Sequence, residues 1–262
     1  MMMNISQIFI SDNDSKELSP YLEMAVESVK KHTPHSRHTV YFHEELREWI
    51  EESYGGGILD AFNKLVPYAF KADLARYLLL YRLGGWYFDI SVRALNGVNV
   101  GEQIDFITFF DMPFYSKVSY ACNNAVMYAK AGSPILEDTI HDVLANIAAE
   151  NYGKNSLAPT GPLCLGKNVA KHSDRLNVHT GVFMELTPGY PNKNRGFVLD
   201  NGTLLALHKP GNVGGDLVKL GVKGTNNYAE LYAARAIYDP NIRFSAEQAV
   251  FAPNTPEQPS AK

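Results

Sequence analysis

Two hydrophobic rhythms take turns along this chain. Apolar runs of strand length, residues 5–10 and 39–42, alternate with segments whose apolar residues recur at helical spacing, residues 20–31 (Leu22, Val26 and Val29 inward) and 44–54. The order βαβα is that of a mostly parallel sheet covered by helices on both faces. Residues 58–65 predict a short helix before the break at Pro67. Residues 71–83 carry Ala72, Leu74, Ala75, Leu78, Leu79, Leu80 and Leu83, which leaves almost no polar face and predicts a helix buried on most sides. Gly84-Gly85 stops that helix, and Trp86-Tyr87-Phe88 predicts a short aromatic strand that delivers Asp89 to its carboxyl end.

Further on, residues 104–110 read as an apolar strand and residues 135–150 as an amphipathic helix with a solvated outer face. Residues 178–186 and 197–207 read as strands separated by a polar turn, a small antiparallel excursion. Residues 228–237 read as a last helix capped by Asn226 or Asn227. The content of Pro, Gln, Ser and Ala beyond Arg243 predicts a loose tail over 244–262, so the expected organisation is one α/β domain over residues 1–243. No internal repeat is visible.

Composition changes this picture little. The chain has 262 residues and a formal net charge of −4, which supplies no basic field for nucleic acid. Cys122 and Cys164 stand far apart without metal-type spacing, so neither a disulfide framework nor a zinc site is indicated, and reduced thiols fit a cytoplasmic protein. No apolar window approaches the length of a membrane span, and the first residues lack the charged and apolar regions of a signal peptide. The triple glycine 55–57 is a join and not a phosphate loop, because no GxxxxGK[ST] or GxGxxG pattern accompanies it.

The charges inside the apolar centre are the chemical signal. Asp73 and Arg76 lie three apart on one helix face, while Asp89, Ser91 and Arg93 share one face if the strand continues at period two. The spacing fits a ligand site and equally a plain ion pair with a turn aspartate. Nucleotides bind at the carboxyl ends of strands in such sheets, which makes Phe9, Ile10 and Ser11 candidates for a base and ribose pocket. Asp111, at the end of the strand 104–110, is a candidate acid or base on the acceptor side, against its reading as a turn residue before Pro113. Tyr68 and Phe70 are candidates to flank a sugar, with core packing as the commoner role.

The pattern KADLARY…YRLGGWYFD (residues 71–89) resembles the signature of DXD-containing sugar transferases. The nearest group is family 32, which includes initiating mannosyltransferases and capsular polysaccharide enzymes; the glucosyltransferase domains of large clostridial toxins are more distantly similar. The resemblance implies a single GT-A-like, Rossmann-related domain. It implies that Asp73 and Arg76 hold a nucleotide-sugar and that Asp89 opens the acidic motif. The segment 120–127 resembles the family's short strand whose Asn faces the donor sugar, which points to Asn123 and Asn124. Thr160-Gly161-Pro162 matches a turn before a helix whose amides and hydroxyl suit a sugar or phosphate. His208 matches a histidine that completes the metal shell or touches the diphosphate, against the commoner structural role of a lone histidine, and Lys209 is a candidate to neutralise phosphate or a plain solvent-facing lysine.

This chain departs from the family where Asp89-Ile90-Ser91 replaces the second carboxylate with a hydroxyl. Divalent cations prefer anionic oxygen ligands, so a Mn²⁺ or Mg²⁺ site formed by Asp89, Ser91 and His208 is expected to be weakened. Arg93, next on the same expected face, is a candidate to share the neutralising role. Beyond His208-Lys209, residues Asn212 to Gly215 replace the family's tryptophan-bearing continuation.

The resemblance implies a retaining glycosyltransferase that moves a hexose from a nucleotide-diphosphosugar to a saccharide or glycolipid hydroxyl in surface polysaccharide synthesis. UDP-sugar is favoured over GDP-mannose. Asp89, Asp111 and Asn124 are the expected catalytic residues. No nucleic-acid partner and no transmembrane segment are expected; the location is cytoplasmic, with peripheral association at the inner face of the membrane as an option. A nucleotide-sugar-binding relative without turnover stays open, as does a toxin-like transferase that glycosylates a protein. A phosphatase with an aspartate nucleophile would leave Asp73 and Arg76 unexplained.

Overall fold

A computed structural model of the chain describes residues 2–97, 100–190, 194–210, 217–245 and 247. In chain order its elements are β1 (Met3–Phe9), α1 (Pro20–His32), β2 (Ser36–Phe42), α2 (His43–Tyr54), α3 (Gly56–Lys64), α4 (Tyr68–Leu83), β3 (Gly85–Phe88) and β4 (Arg93–Ala94). They continue with β5 (Phe106–Phe110), α5 (Pro113–Ser116), β6 (Cys122–Ala129), α6 (Pro134–Ala148), α7 (Pro162–His172), β7 (Val178–Glu185), β8 (Arg195–Val198), β9 (Leu204–Leu207) and α8 (Tyr228–Ala233). Among the described residues nine strands form one sheet in the order β2-β1-β3-β6-β5-β7-β8-β9-β4.

The expected mostly parallel sheet is a mixed one. β1 pairs in parallel with β2 and β3, and β5 with β7; the pairings β3–β6, β5–β6, β7–β8, β8–β9 and β4–β9 are antiparallel. The βαβ pattern holds over the first half, where α1 and then α2 to α4 supply the long crossovers that parallel strands require. From β5 onward β5–β6, β7–β8 and β8–β9 are joined by short connections that reverse the chain, and only β6 to β7 is spanned by long helices, α6 and α7. The strand expected over 197–207 divides into β8 and β9 because Asp200, Asn201 and Gly202, the last with φ +84°, turn the chain back.

The alternation of side chains sorts the core into layers. On β3, Tyr87 points into the larger cluster with α2, α3, α4, α6 and α7, whereas Trp86 and Phe88 point into a second cluster on the opposite face with Val29 of α1. α4 is buried nearly all round, as its sequence requires: Leu74, Ala75, Leu78, Leu79 and Leu80 are all 0% exposed. Gly84 and Gly85 both have positive φ, and a Cβ on Gly85 would lie 2.1 Å from the Asn4 carbonyl oxygen, so only glycine lets β3 pass that close to β1. Asn227 caps α8 by accepting the Ala229 amide at 2.9 Å, and that helix ends at Ala233, short of the expected residue 237.

Lys71 of the KADLARY pattern plays a structural part. Its ammonium caps α3, donating to the carbonyls of Phe62 (2.9 Å) and Asn63 (3.1 Å), and burial lowers its pKa to about 8. Phe244 is buried in the larger core cluster. The rest of the expected tail, residues 246 and 248–262, lies outside the described residues apart from Ser245 and Glu247, as do Asn212 to Gly215. Among the described residues no helix is long and apolar enough to cross a membrane.

Candidate active site

The strand directions place a group of distant residues at one edge of the sheet. β1, β3, β5 and β7 run the same way, so Ile10, Asp89 and Asp111 follow strand ends at that edge. β6 and β8 run the opposite way, so their first residues, Asn123 and Asn124 in one and Arg195 in the other, reach the same edge. β9 runs back again and delivers His208 and Lys209 just past its end. A cleft of about 430 Å³ opens there, a volume suited to a small-molecule ligand, and Phe9, Ile10, Asp73, Arg76, Asp89, Ser91, Asp111, Asn123, Asn124, Gly161, His208 and Lys209 all line it.

One wall is a closed charge network on α4 and β3. The Arg76 guanidinium lies 3.3 Å from Asp73 Oδ1 and 3.0 Å from Asp89 Oδ1, and it donates to the carbonyls of Ala72 (3.0 Å) and Asn124 (2.8 Å). It also lies over the Tyr87 ring, 4.6 Å from its centroid. Burial pulls the Arg76 pKa down, but Asp89, Tyr87 and Asp73 outweigh it and the net shift is upward. Asp73 accepts from Asn124 Nδ2 at 2.9 Å and from the Thr160 hydroxyl at 2.7 Å. With Arg76 these contacts use three of roughly four acceptor positions of a carboxylate. Burial raises the Asp73 pKa, and Arg76, Thr160 and Asn124 pull against the rise.

This wall refines several of the expected roles. Thr160 is fully buried, does not line the cleft and gives its hydroxyl to Asp73. Gly161 does reach the cleft, where an added Cβ would stand 3.3 Å from Asp73 Oδ2. Asn124 donates from Nδ2 both to Asp73 and, at 2.7 Å, to the Tyr77 hydroxyl, so both of its amide hydrogens are engaged inside the protein. Asn123 donates to Asp111 Oδ1 at 3.2 Å.

Asp89 directly follows β3, and its amide donates to the Ala125 carbonyl at 2.7 Å. Its carbonyl then accepts the Val92 amide at 2.9 Å, a tight turn that breaks the period-two continuation expected through Arg93. Arg93 therefore opens β4 on the outermost strand, does not line the cleft, and exerts its charge on Tyr21. Arg76 and the Tyr87 hydroxyl (2.8 Å) both contact Asp89 Oδ1. Oδ2 has no hydrogen-bond partner among the described residues, and the side chain is 30% exposed.

The opposite wall comes from β5, α5, β8 and β9. Asp111 is buried, and burial raises its pKa against the opposing pull of Asn123, the Met112 amide and Arg195. His208 packs edge-on to Phe183, with ring centroids 5.3 Å apart. Burial, Lys209 and Arg195 together lower its pKa to about 3, so the ring is neutral. Its Nδ1 lies 3.2 Å from the Lys209 carbonyl and must donate there, which leaves the lone pair on Nε2.

Arg195 and Tyr115 were not singled out from sequence. Arg195 is buried, lines the cleft, donates to the Tyr115 hydroxyl at 3.1 Å and lies over that ring, 5.1 Å from the centroid. The available signal was an arginine heading the apolar run Gly196-Phe197-Val198.

As for a divalent cation, Asp89 Oδ2 and His208 Nε2 are suitable donors on the cleft wall. Among the described residues no group of three or more His, Cys, Asp or Glu forms a self-sufficient metal site. Two such donors do not complete the shell of a divalent ion, whose remaining ligands would have to come from a bound diphosphate and water.

With this geometry in place, the comparisons with known proteins are specific over one part of the chain. Residues 19–106 match the family described as "Glycosyltransferase sugar-binding region containing DXD motif". That span runs from the start of α1 into β5 and contains Asp73, Arg76, Asp89 and Ser91. That segment is similar to the sugar-binding region of DXD-type glycosyltransferases. A solved structure titled "PaToxG Glycosyltransferase" is similar with a TM-score of 0.45 and 21% identity, over 64% of this chain and 68% of that one. No curated protein matches the sequence.

Proposed function

We propose that this enzyme is a retaining hexosyltransferase of GT-A-like fold that uses a nucleotide-diphosphosugar, a UDP-sugar in preference to GDP-mannose. The acceptor is a hydroxyl of a saccharide or glycolipid of a surface polysaccharide, reached from the cytoplasmic side. The observation that carries the reading is the Asp73–Arg76–Asp89 network on one wall of a cleft at the strand ends, inside the segment that matches the sugar-binding family.

Breaking an anomeric bond builds positive charge on the sugar and negative charge on the leaving diphosphate. Rate then depends on stabilising the leaving group and holding the acceptor hydroxyl in line. Asp73, fixed by Asn124, Thr160 and Arg76, has one acceptor position left to orient a sugar hydroxyl. Asp111, whose raised pKa suits proton exchange, is the acceptor-side acid or base. Phe9 and Ile10, at the end of β1, flank the base and ribose. A divalent cation, where bound, is held by Asp89 and His208 and supplies Lewis-acid stabilisation of the diphosphate; Ser91, buried on the same wall, is the weaker neighbour. Lys209 contributes fixed positive charge.

Calorimetric titration of the wild type and Asp89→Ala with UDP, GDP and CMP, each with and without Mn²⁺, tests the reading. The expected result is selective binding of one nucleoside diphosphate, strengthened by Mn²⁺ in the wild type and not in Asp89→Ala. Absence of binding by all three nucleotides would refute the transferase assignment of the cleft. A protein-glycosylating enzyme would share the donor and differ in accepting a polypeptide hydroxyl.

A further inference from the structure

Resting on that donor reading, we propose that Tyr228, the first residue of α8, is a donor-sugar binding residue whose hydroxyl acts with Asp73 on one hydroxyl of the sugar. The segment before it is pinned over the start of α4. Gly224, with φ +65°, presents its carbonyl to the Asp12 amide at 2.7 Å. The Asn226 side chain accepts the Tyr68 amide at 2.9 Å and donates to the Val66 carbonyl at 3.1 Å. Asn227 then caps α8, which fixes where Tyr228 leaves the backbone.

From there the ring lies on Phe70, with centroids 5.7 Å apart and planes 33° from parallel. Phe70, expected from sequence to flank a sugar, is 2% exposed and backs the Tyr228 ring. It precedes Asp73 by three residues on α4, and that spacing puts both side chains on one helix face. Tyr228 thus stands beside Asp73, and both line the cleft.

The two groups have complementary chemistry. An ionised Asp73 only accepts, and Asn124, Thr160 and Arg76 leave it one acceptor position. A sugar hydroxyl that donates to this position still carries lone pairs of its own, and taking them out of water without a donor costs free energy. The Tyr228 hydroxyl makes no hydrogen bond among the described residues and is the donor at hand. Burial, then the negative fields of Asp73 and Asp111, push its pKa up to about 12, so it keeps its proton at neutral pH. A carboxylate and a phenol acting on one hydroxyl sense its direction on the sugar ring, and a donor that lacks the hydroxyl or points it elsewhere leaves both groups unpaired.

The test is a calorimetric series with UDP, UDP-glucose, UDP-galactose, GDP and GDP-mannose on wild type and Tyr228→Phe, which keeps the ring on Phe70 and removes the hydroxyl. Tyr228→Phe is expected to bind the free diphosphate as the wild type does and the matching nucleotide-sugar about 10-fold more weakly. Its preference between the glucose and galactose donors should narrow, which a purely structural role for the ring would not produce. Melting temperatures taken alongside separate this from unfolding. An equal loss for diphosphate and nucleotide-sugar, or no loss for either, would overturn the role of Tyr228 with the donor reading intact. A wild type that binds none of these nucleotides and nucleotide-sugars would overturn both.

Discussion

The two walls of the cleft handle buried charge in opposite ways. On the α4 and β3 wall every charge meets its partner inside the protein: Arg76 bridges Asp73 and Asp89, and Thr160 and Asn124 complete the shell of Asp73. On the β5, β8 and β9 wall Arg195 donates to the Tyr115 phenol, Asp111 accepts from the Asn123 amide and feels the Arg195 charge, and His208 is neutral. The first arrangement is rigid before any ligand arrives. The second is built from weaker, mostly neutral contacts around Asp111 and His208. The difference teaches that the first wall sets geometry, while the second tunes the protonation of the groups that line it.

The comparison breaks most visibly at Arg76. Arg76→Met should cost about 3–5 kcal/mol of stability in urea titration, because it strands the Asp73 carboxylate among buried groups. A loss below about 1 kcal/mol would mean that the network is not the rigid unit described here.

A smaller effect of opposite sign is expected across the cleft. The folded-state pKa of Asp111 is raised above its unfolded value, so the folded protein holds more protons between the two. Stability from this group is present below the unfolded pKa and is lost as pH rises through the folded pKa. Asp111→Asn should remove that loss and melt higher than the wild type at pH 7, with the advantage vanishing in acid. A variant that is less stable at pH 7 than at pH 4, relative to wild type, would show that Asp111 is held as a stabilised anion.

The legibility of these walls from sequence follows from how far apart their parts lie. Asp73, Arg76 and Asp89 sit within one helix-turn-strand unit, so helical spacing and the Gly-Gly stop already bring them together. Arg93 was misplaced because period two was extended through Ser91, whereas the bond from the Val92 amide to the Asp89 carbonyl closes a turn. Arg195 was invisible for a different reason. Its position depends on β8 running antiparallel to β7 and on β9 returning beside it, and strand partners far along the chain are not encoded in local periodicity. The same short connections made the sheet mixed. Thr160 carried a family-like turn motif, but which of its groups faces the cleft is decided by packing against Asp73.

The central claim, that this cleft transfers a sugar from a nucleotide donor across Asp89, is tested most directly by turnover. Release of nucleoside diphosphate from UDP-hexoses and GDP-mannose should be followed for the wild type and Asp89→Asn, with saccharide, glycolipid and protein acceptors. The wild type should release diphosphate from one donor class, and Asp89→Asn should be slower by about 100-fold or more with its melting temperature within a few degrees. Tight nucleotide binding without release from any donor would contradict the account and mark a sugar-binding relative, as would release that Asp89→Asn leaves unchanged.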